Sequence, residues 1–399
     1  MAIDTIGTNA IANDAVTAAK IPAGAVDADI TTLPDGSVST AKLADNAVTG
    51  AKLYAENLGR RNLLINGAMR VHQRGTTGQP VGGYGYGCDR WRGYNSGTAR
   101  YDVVQESITD LAQFNSCYKL TVTTAQSSYG SDISVPIEQS IEGTNTARLS
   151  FGTSNAQTVT VSFYVKSSVT GDFACALFNG SPITRSIVQN WTVNSANTWE
   201  RKTLTFAGDT SGTWRTDKLV GMYVALASIG GSSGTARASA ANTWEAGYKN
   251  HLANSTNLFA TNSATMRFTG IQIEVGDTAT DFEHLPYVED LQLSERYFQL
   301  LRAGSVGTAE NGSRASFGHR CQTEMRNPPT ISLDATRGHL NQPQGGPNQK
   351  TTMNNVFWGV TQSEHGGFLV IDTSDSWMTT GRLIFTAGTT GMVKFDAEL

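Results

Sequence analysis

Apolar residues mark a five-residue beat at the N-terminus of this chain. They fall at Ile6, Ile11, Val16, Ile21 and Val26, slip by two residues, and resume at Leu33, Val38, Leu43, Val48, Leu53 and Leu58. Mostly small and polar residues fill the gaps, with Ile30 and Tyr54 off the beat. A helical stripe needs spacings of three and four, and a half-buried strand needs two. One apolar residue in five builds no core within a single chain, so the beat predicts copies meeting along a shared axis. A thin, intertwined stalk is the expectation for residues 1–58, with Ile11, Val16, Ile21, Val38, Leu43, Val48 and Leu53 as the positions where the copies meet.

Local chemistry supports a repeat. Asp14-Ala15-Val16-Thr17-Ala18-Ala19-Lys20-Ile21 returns as Gly36-Ser37-Val38-Ser39-Thr40-Ala41-Lys42-Leu43 and as Asn46-Ala47-Val48-Thr49-Gly50-Ala51-Lys52-Leu53. Thr17, Ser39 and Thr49 can each cap one helical turn. Asp-Asn, Asp-Gly or Pro-x-Gly then turns the chain back to an extended form.

Only 16% of the residues are charged, 41 are glycine, and the formal net charge is -4. This composition suits turn-rich β structure and gives no electrostatic footprint for nucleic acid. No apolar stretch approaches the roughly 18 residues needed to cross a bilayer, and Met1-Ala2-Ile3-Asp4 reads as no secretory signal. Cys88, Cys117, Cys175 and Cys321 are widely spaced, which predicts buried reduced thiols.

Residues 59–288 read as a β-sandwich of jelly-roll type. Val159, Val161, Phe163 and Val165 alternate with polar neighbours, and similar runs occupy Tyr118–Thr124, Phe173–Phe178, Trp199–Phe206, Gly221–Ala227 and Met266–Val275. In the last run Met266 and Phe268 are out of step with Ile271, Ile273 and Val275, which predicts a bulge at Thr269-Gly270. Ser228–Ala241 and Asn242–Ser263 read as loops. A linking helix is expected over 289–302, carried by Leu291, Leu293, Tyr297, Phe298, Leu300 and Leu301. Residues 303–399 read as a C-terminal β-sandwich tip, with strands at Thr330–Leu333, Phe368–Ile371, Leu383–Thr386 and Met392–Phe395 and an exposed loop at Gly338–Lys350.

These motifs carry a resemblance. Ser37-Val38-Ser39-Thr40-Ala41-Lys42-Leu43 and the residues that follow resemble the shaft repeats of tail fibres of marine bacteriophages. Asn62-Leu63-Leu64-Ile65-Asn66-Gly67-Ala68-Met69 resembles the opening strand of the fibre jelly roll, itself similar to carbohydrate-binding modules. Asp89-Arg90-Trp91, Ile271–Gly276 with Ala279–Glu283, and Leu293–Phe298 resemble later landmarks in the same order. The resemblance implies a homotrimer, made in a host cytoplasm and mounted on a virion tail or adaptor protein through its N-terminus. Its distal part would bind a bacterial surface glycan or protein. A head or neck appendage and a depolymerising tailspike are the alternatives; a secreted adhesin or lectin fits less well.

Candidate sites are few. Aromatic faces stack on pyranose rings, but Trp91, Trp199 and Trp214 read as core. Trp358, His365 and Trp377 stand beside turns in the tip and are the candidate binding residues. His319-x-Cys321 is a lone i,i+2 pair of potential metal ligands, too few to define a site, and the likeness to sugar-binding modules implies a structural calcium ion near Glu274 or Asp277 that the spacing of residues does not itself show. Glu138 and Glu142 form an acidic pair with no sign of convergence across a groove. No nucleophile elbow, phosphate loop or cofactor motif is present, so the expectation is a structural binding protein and not an enzyme.

Overall fold

The computed structural model describes residues 60–75, 79–80, 83–301, 305–333, 338–341, 353–373, 382–388 and 393–398, together with Ser376, Met378 and Thr380. The stalk positions Ile11, Val16, Ile21, Val38, Leu43, Val48 and Leu53 lie outside these residues, as does Trp377.

Two antiparallel sheets enclose the main core. The first runs in the order β1 (Gln79–Pro80), β4 (Arg100–Ser107), β5 (Ser116–Thr124), β13 (Thr265–Val275), β7 (Val159–Ser167), β10 (Glu200–Phe206). The second runs β12 (Glu245–Ala246), β9 (Arg185–Val193), β8 (Gly171–Asn179), β11 (Val220–Gly230), β6 (Ile133–Glu142), β3 (Trp91–Asn95), β2 (Tyr84–Cys88). Alternation on β7 sends Val159, Val161, Phe163 and Val165 inward, where Phe163 meets Trp191 edge-on at 5.0 Å. Thr160 on the opposite face is also buried, and its hydroxyl donates to the Gly276 carbonyl at 2.8 Å. All four cysteines are buried and unbridged.

The bulge on β13 is present. Its register against β7 shifts between Thr269 and Gln272, and Gly270 has φ +59°, a left-handed conformation that suits glycine. The bulge also changes β13's other neighbour. Before it, Met266 and Phe268 pair with Leu120 and Tyr118 of β5. After it, the Leu63 amide donates to the Ile273 carbonyl and the Ile271 amide to the Gly67 carbonyl, both at 3.0 Å.

The segment 62–69 is therefore not the opening strand that its sequence suggested. It is a buried irregular stretch in which Asn66 and Met69 both have φ +57°. Side chains replace the missing ladder. Gln139 accepts from the Ile65 amide and donates to the Ile65 carbonyl, each at 2.8 Å, so its carboxamide acts as a surrogate peptide. Gly67 admits no side chain, because a Cβ there would sit 2.2 Å from the Ile271 carbonyl oxygen.

The linking helix is shorter than its sequence suggested. It spans Tyr287–Glu295 and gives way to a strand, β14 (Phe298–Leu300). Arg296 and Tyr297 both bond the buried Glu142 carboxylate, fixing the chain as it leaves the helix. β14 then pairs with β22 (Val393–Asp396), a partner about a hundred residues away that no local pattern reveals.

The C-terminal module has two sheets of its own. The smaller has the order β14, β22, β17 (Thr330–Leu333). The larger has the order β18 (Gly338–Asn341), β21 (Leu383–Gly388), β15 (Val306–Asn311), β16 (Arg314–Arg320), β20 (Gly366–Thr373), β19 (Met353–Ser363). The stretch expected as a loop from Gly338 thus begins as a strand paired to β21; residues 342–350 lie outside the described residues. Phe317, Leu340, Leu369, Ile371, Ile384, Val393 and Phe395 fill this second core.

Charged side chains join the two modules. Arg90 bonds Glu398 and the Ser140 carbonyl (2.5 Å), with its guanidinium 3.5 Å above the Tyr297 ring. Arg74 bonds Asp396 at 2.9 Å and Glu398 at 3.1 Å, lying over the Tyr86 and Phe298 rings. Arg326 holds the Ala397 and Glu398 carbonyls. Asp89 sits within this charge cluster. Burial lifts its carboxyl to about 6, against the opposing pull of Arg74 and the Gln73 side chain.

A tyrosine-walled candidate binding cleft

The second sheet turns aromatic side chains outward at one end. On β3, Trp91, Gly93 and Asn95 face the core, so Arg92 and Tyr94 face out. Gly93 is dictated by that core, since a Cβ would fall 2.9 Å from both the Tyr101 hydroxyl and the Pro136 carbonyl. Across the β2–β3 hairpin Tyr84 pairs with Tyr94, their ring centroids 4.7 Å apart. β6 places Glu138 opposite Arg92, and β11 places Tyr223 beside Phe178 of β8, their rings stacked at 4.9 Å.

The two loops read from the sequence close the far side. Ala238 and Leu252 lie with Ala174, Ala176, Val188 and Ala225 in an apolar cluster on the outer face of β8, β9 and β11. Tyr248 stands edge-on to Phe178 at 5.0 Å, its hydroxyl fixed by the Asn250 amide at 2.9 Å. What remains open is a cleft of about 240 Å³ lined by Tyr84, Arg92, Tyr94, Ile133, Glu138, Phe178, Ile183, Tyr223 and Tyr248. Tyr84 is 61% exposed at its rim.

A dehydrated ion pair forms the floor. Arg92 Nε donates to Glu138 Oε1 at 2.8 Å, and the Arg92 guanidinium lies 4.4 Å from the centre of the Tyr84 ring. Burial lifts the Glu138 carboxyl above its usual range, with Arg92 opposing. For Arg92 burial is the largest single influence and works downward, but the Glu138 charge and hydrogen bond together with the Tyr86 and Tyr223 phenols outweigh it, and the net shift is upward. Burial raises the Tyr84, Tyr223 and Tyr248 phenols, so all three stay protonated near neutral pH. Flat apolar faces beside a few fixed hydrogen-bonding groups are what a sugar ring requires: its C–H faces stack and its hydroxyls bond.

The residues singled out in the sequence are placed elsewhere. Trp358 is half-buried on β19, its Nε1 donating to the Pro329 carbonyl at 3.0 Å and its ring 5.8 Å from Phe395. His365 is exposed in the β19–β20 turn, and its carbonyl accepts from the Cys321 amide at 2.9 Å. Trp91 is fully buried, with Nε1 on the Asn66 carbonyl at 2.9 Å. Trp214 meets Phe151 and Trp244 edge-on, and Trp199 donates to Asp110. His319 stacks flat on Phe395 at 4.2 Å, and burial lowers its pKa to about 4. Glu274 accepts from the Thr280 amide and hydroxyl and from Gln272, so the protein itself satisfies this carboxylate.

Glu138 and Glu142 stand four residues apart on β6, about 13 Å at the rise of a strand. Each is held by a different arginine. The sequence did contain a sign of the cleft: Tyr84-Gly85-Tyr86-Gly87 and Arg92-Gly93-Tyr94 alternate glycine with large side chains.

No known family and no curated protein matches this sequence. Similar solved structures include the enzymatically active domain of tailspike protein 4 of bacteriophage CBA120, at 10% identity and a TM-score of 0.31, covering 54% of this chain and 21% of that one. A family 11 carbohydrate-binding module of Clostridium thermocellum aligns at 13% identity and a TM-score of 0.27, covering 52% of this chain and 98% of the module. The module TmCBM61, in complex with β-1,4-galactotriose, aligns at 10% identity and a TM-score of 0.26, covering 54% of this chain and 99% of the module. The chain thus spans about a fifth of the tailspike structure, and none of these likenesses reaches the level at which a shared activity follows.

Proposed function

We propose that this chain is a fibre subunit that attaches a virion to bacterial surface glycan, with the tyrosine cleft as its sugar-binding site. The observation that carries the reading is the cleft itself: four tyrosines around a fixed Arg92–Glu138 pair on the outer face of a rigid sheet. The shaft-like repeats supply the oligomer. Three weak sites on one fibre then act together, so avidity replaces a single tight contact.

Two measurements test this. On a bacterial glycan array the full chain is expected to bind. Tyr84→Ala and Tyr223→Ala are each expected to weaken binding by about tenfold, the loss for one aromatic stacking partner. Retention of full binding by both variants would overturn the cleft as the site. For the stalk, Asp at both Val38 and Leu43 is expected to convert trimers to monomers, because burial of each apolar side chain contributes about 1.5–3 kcal/mol. A trimer surviving in analytical ultracentrifugation would refute the shared axis.

A further inference from the structure

We infer that the Arg92–Glu138 pair makes the cleft selective for uncharged sugars and excludes acidic ones; the inference rests on the cleft being the glycan site. Arg92 and Glu138 supply the only charges among the described residues that line it. They face one another at 2.8 Å, with side-chain exposures of 13% and 6%, so the floor carries opposite charges that cancel inside a poorly hydrated space. A hexuronic acid or a sialic acid would bring a carboxylate beside Glu138. It can reach Arg92 only alongside Glu138, which sets two carboxylates around one guanidinium in a poorly hydrated space and leaves a negative charge uncompensated. An amino sugar meets the mirror problem at Arg92. Hydroxyls meet neither, since one hydroxyl can accept from a guanidinium and another can donate to a carboxylate. The aromatic side chains add apolar ring faces, and the Tyr84, Tyr223 and Tyr248 phenols, raised by burial, add no charge.

The arrangement also explains why an arginine stands there. A neutral floor made of apolar residues would hold a ring by its faces alone, whereas the paired charges offer stronger hydrogen bonds in fixed directions. Selectivity then follows from rejecting the charged competitor as much as from holding the neutral ligand.

The test compares neutral hexose oligosaccharides with matched oligosaccharides ending in a hexuronic acid, measured by calorimetry on the full chain. The wild-type protein is expected to favour the neutral series by at least about tenfold, the scale of one hydrogen bond to a charged group. Glu138→Gln leaves the Arg92 charge uncompensated, and it is expected to shift the ratio toward the acidic series by a similar factor. The double variant Arg92→Leu/Glu138→Leu, which buries no lone charge, is expected to weaken neutral binding without gaining acidic binding. Equal or better acidic binding by the wild-type chain overturns the inference, whether or not the variants fold. An unchanged ratio in folded Glu138→Gln also overturns it. If neutral binding is present and lost in Tyr84→Ala while the ratio fails, only the selectivity falls. If no sugar binds, or Tyr84→Ala and Tyr223→Ala bind fully, the site itself falls.

Discussion

Glu398→Ala is expected to destabilise the protein by about 3–5 kcal/mol, the cost of leaving a buried charge without its partner. Arg90 is the charge left behind. Its side chain is 1% exposed and Glu398's is 7%, so water cannot replace the lost carboxylate. Arg90 would keep the Ser140 carbonyl and the Tyr297 ring, neither of which carries a full negative charge. Arg74 would lose one of its two carboxylates. The double variant Arg90→Met/Glu398→Leu removes both members of the pair and is expected to recover most of the loss. Denaturant unfolding of the three proteins measures this directly. A loss below about 1 kcal/mol for Glu398→Ala would place the pair with ordinary surface ion pairs.

Trp91→Ala is expected to cost about 3–5 kcal/mol, the range for emptying a large aromatic from a packed core. Trp91 is fully buried and its indole N–H is satisfied by the Asn66 carbonyl, so the substitution leaves a void and removes a hydrogen bond. Trp91→Phe should cost less, because Asn66 O still accepts from the Met69 amide. Sugar affinity per folded molecule should be unchanged in Trp91→Phe, since Trp91 faces the opposite side of β3 from Arg92 and Tyr94. A folded Trp91→Phe protein with weakened sugar binding would move this residue from the core to the site.

Much of the sandwich could be read from the sequence where one face of a strand is buried and the period is two. β7 and β13, bulge included, are examples. The reading failed where the partner is distant. Phe298 and Leu300 extended an apolar helical stripe on paper, yet β22 takes them into a strand. Residues 62–69 read as a strand on paper, yet several of their backbone groups are bonded by the Gln139 and Asn62 side chains, which no periodicity shows. The cleft was missed for a related reason. Its walls come from β2, β3, β6, β8, β11 and the loop carrying Tyr248, so no short stretch contains it. The tryptophans in the tip drew attention by type, whereas the exposed aromatic wall is made of tyrosine.

One hairpin serves two masters. Along β2, Tyr84 enters the tyrosine-walled cleft while Tyr86 lies under Arg74 at the module boundary. Just across the turn, Arg90 anchors Glu398 and Arg92 forms the cleft floor. Anyone seeking to change what the cleft accepts should therefore leave Cys88–Arg92 alone and vary Ile183 and the Tyr248 loop instead, where a change in taste does not loosen the C-terminal module.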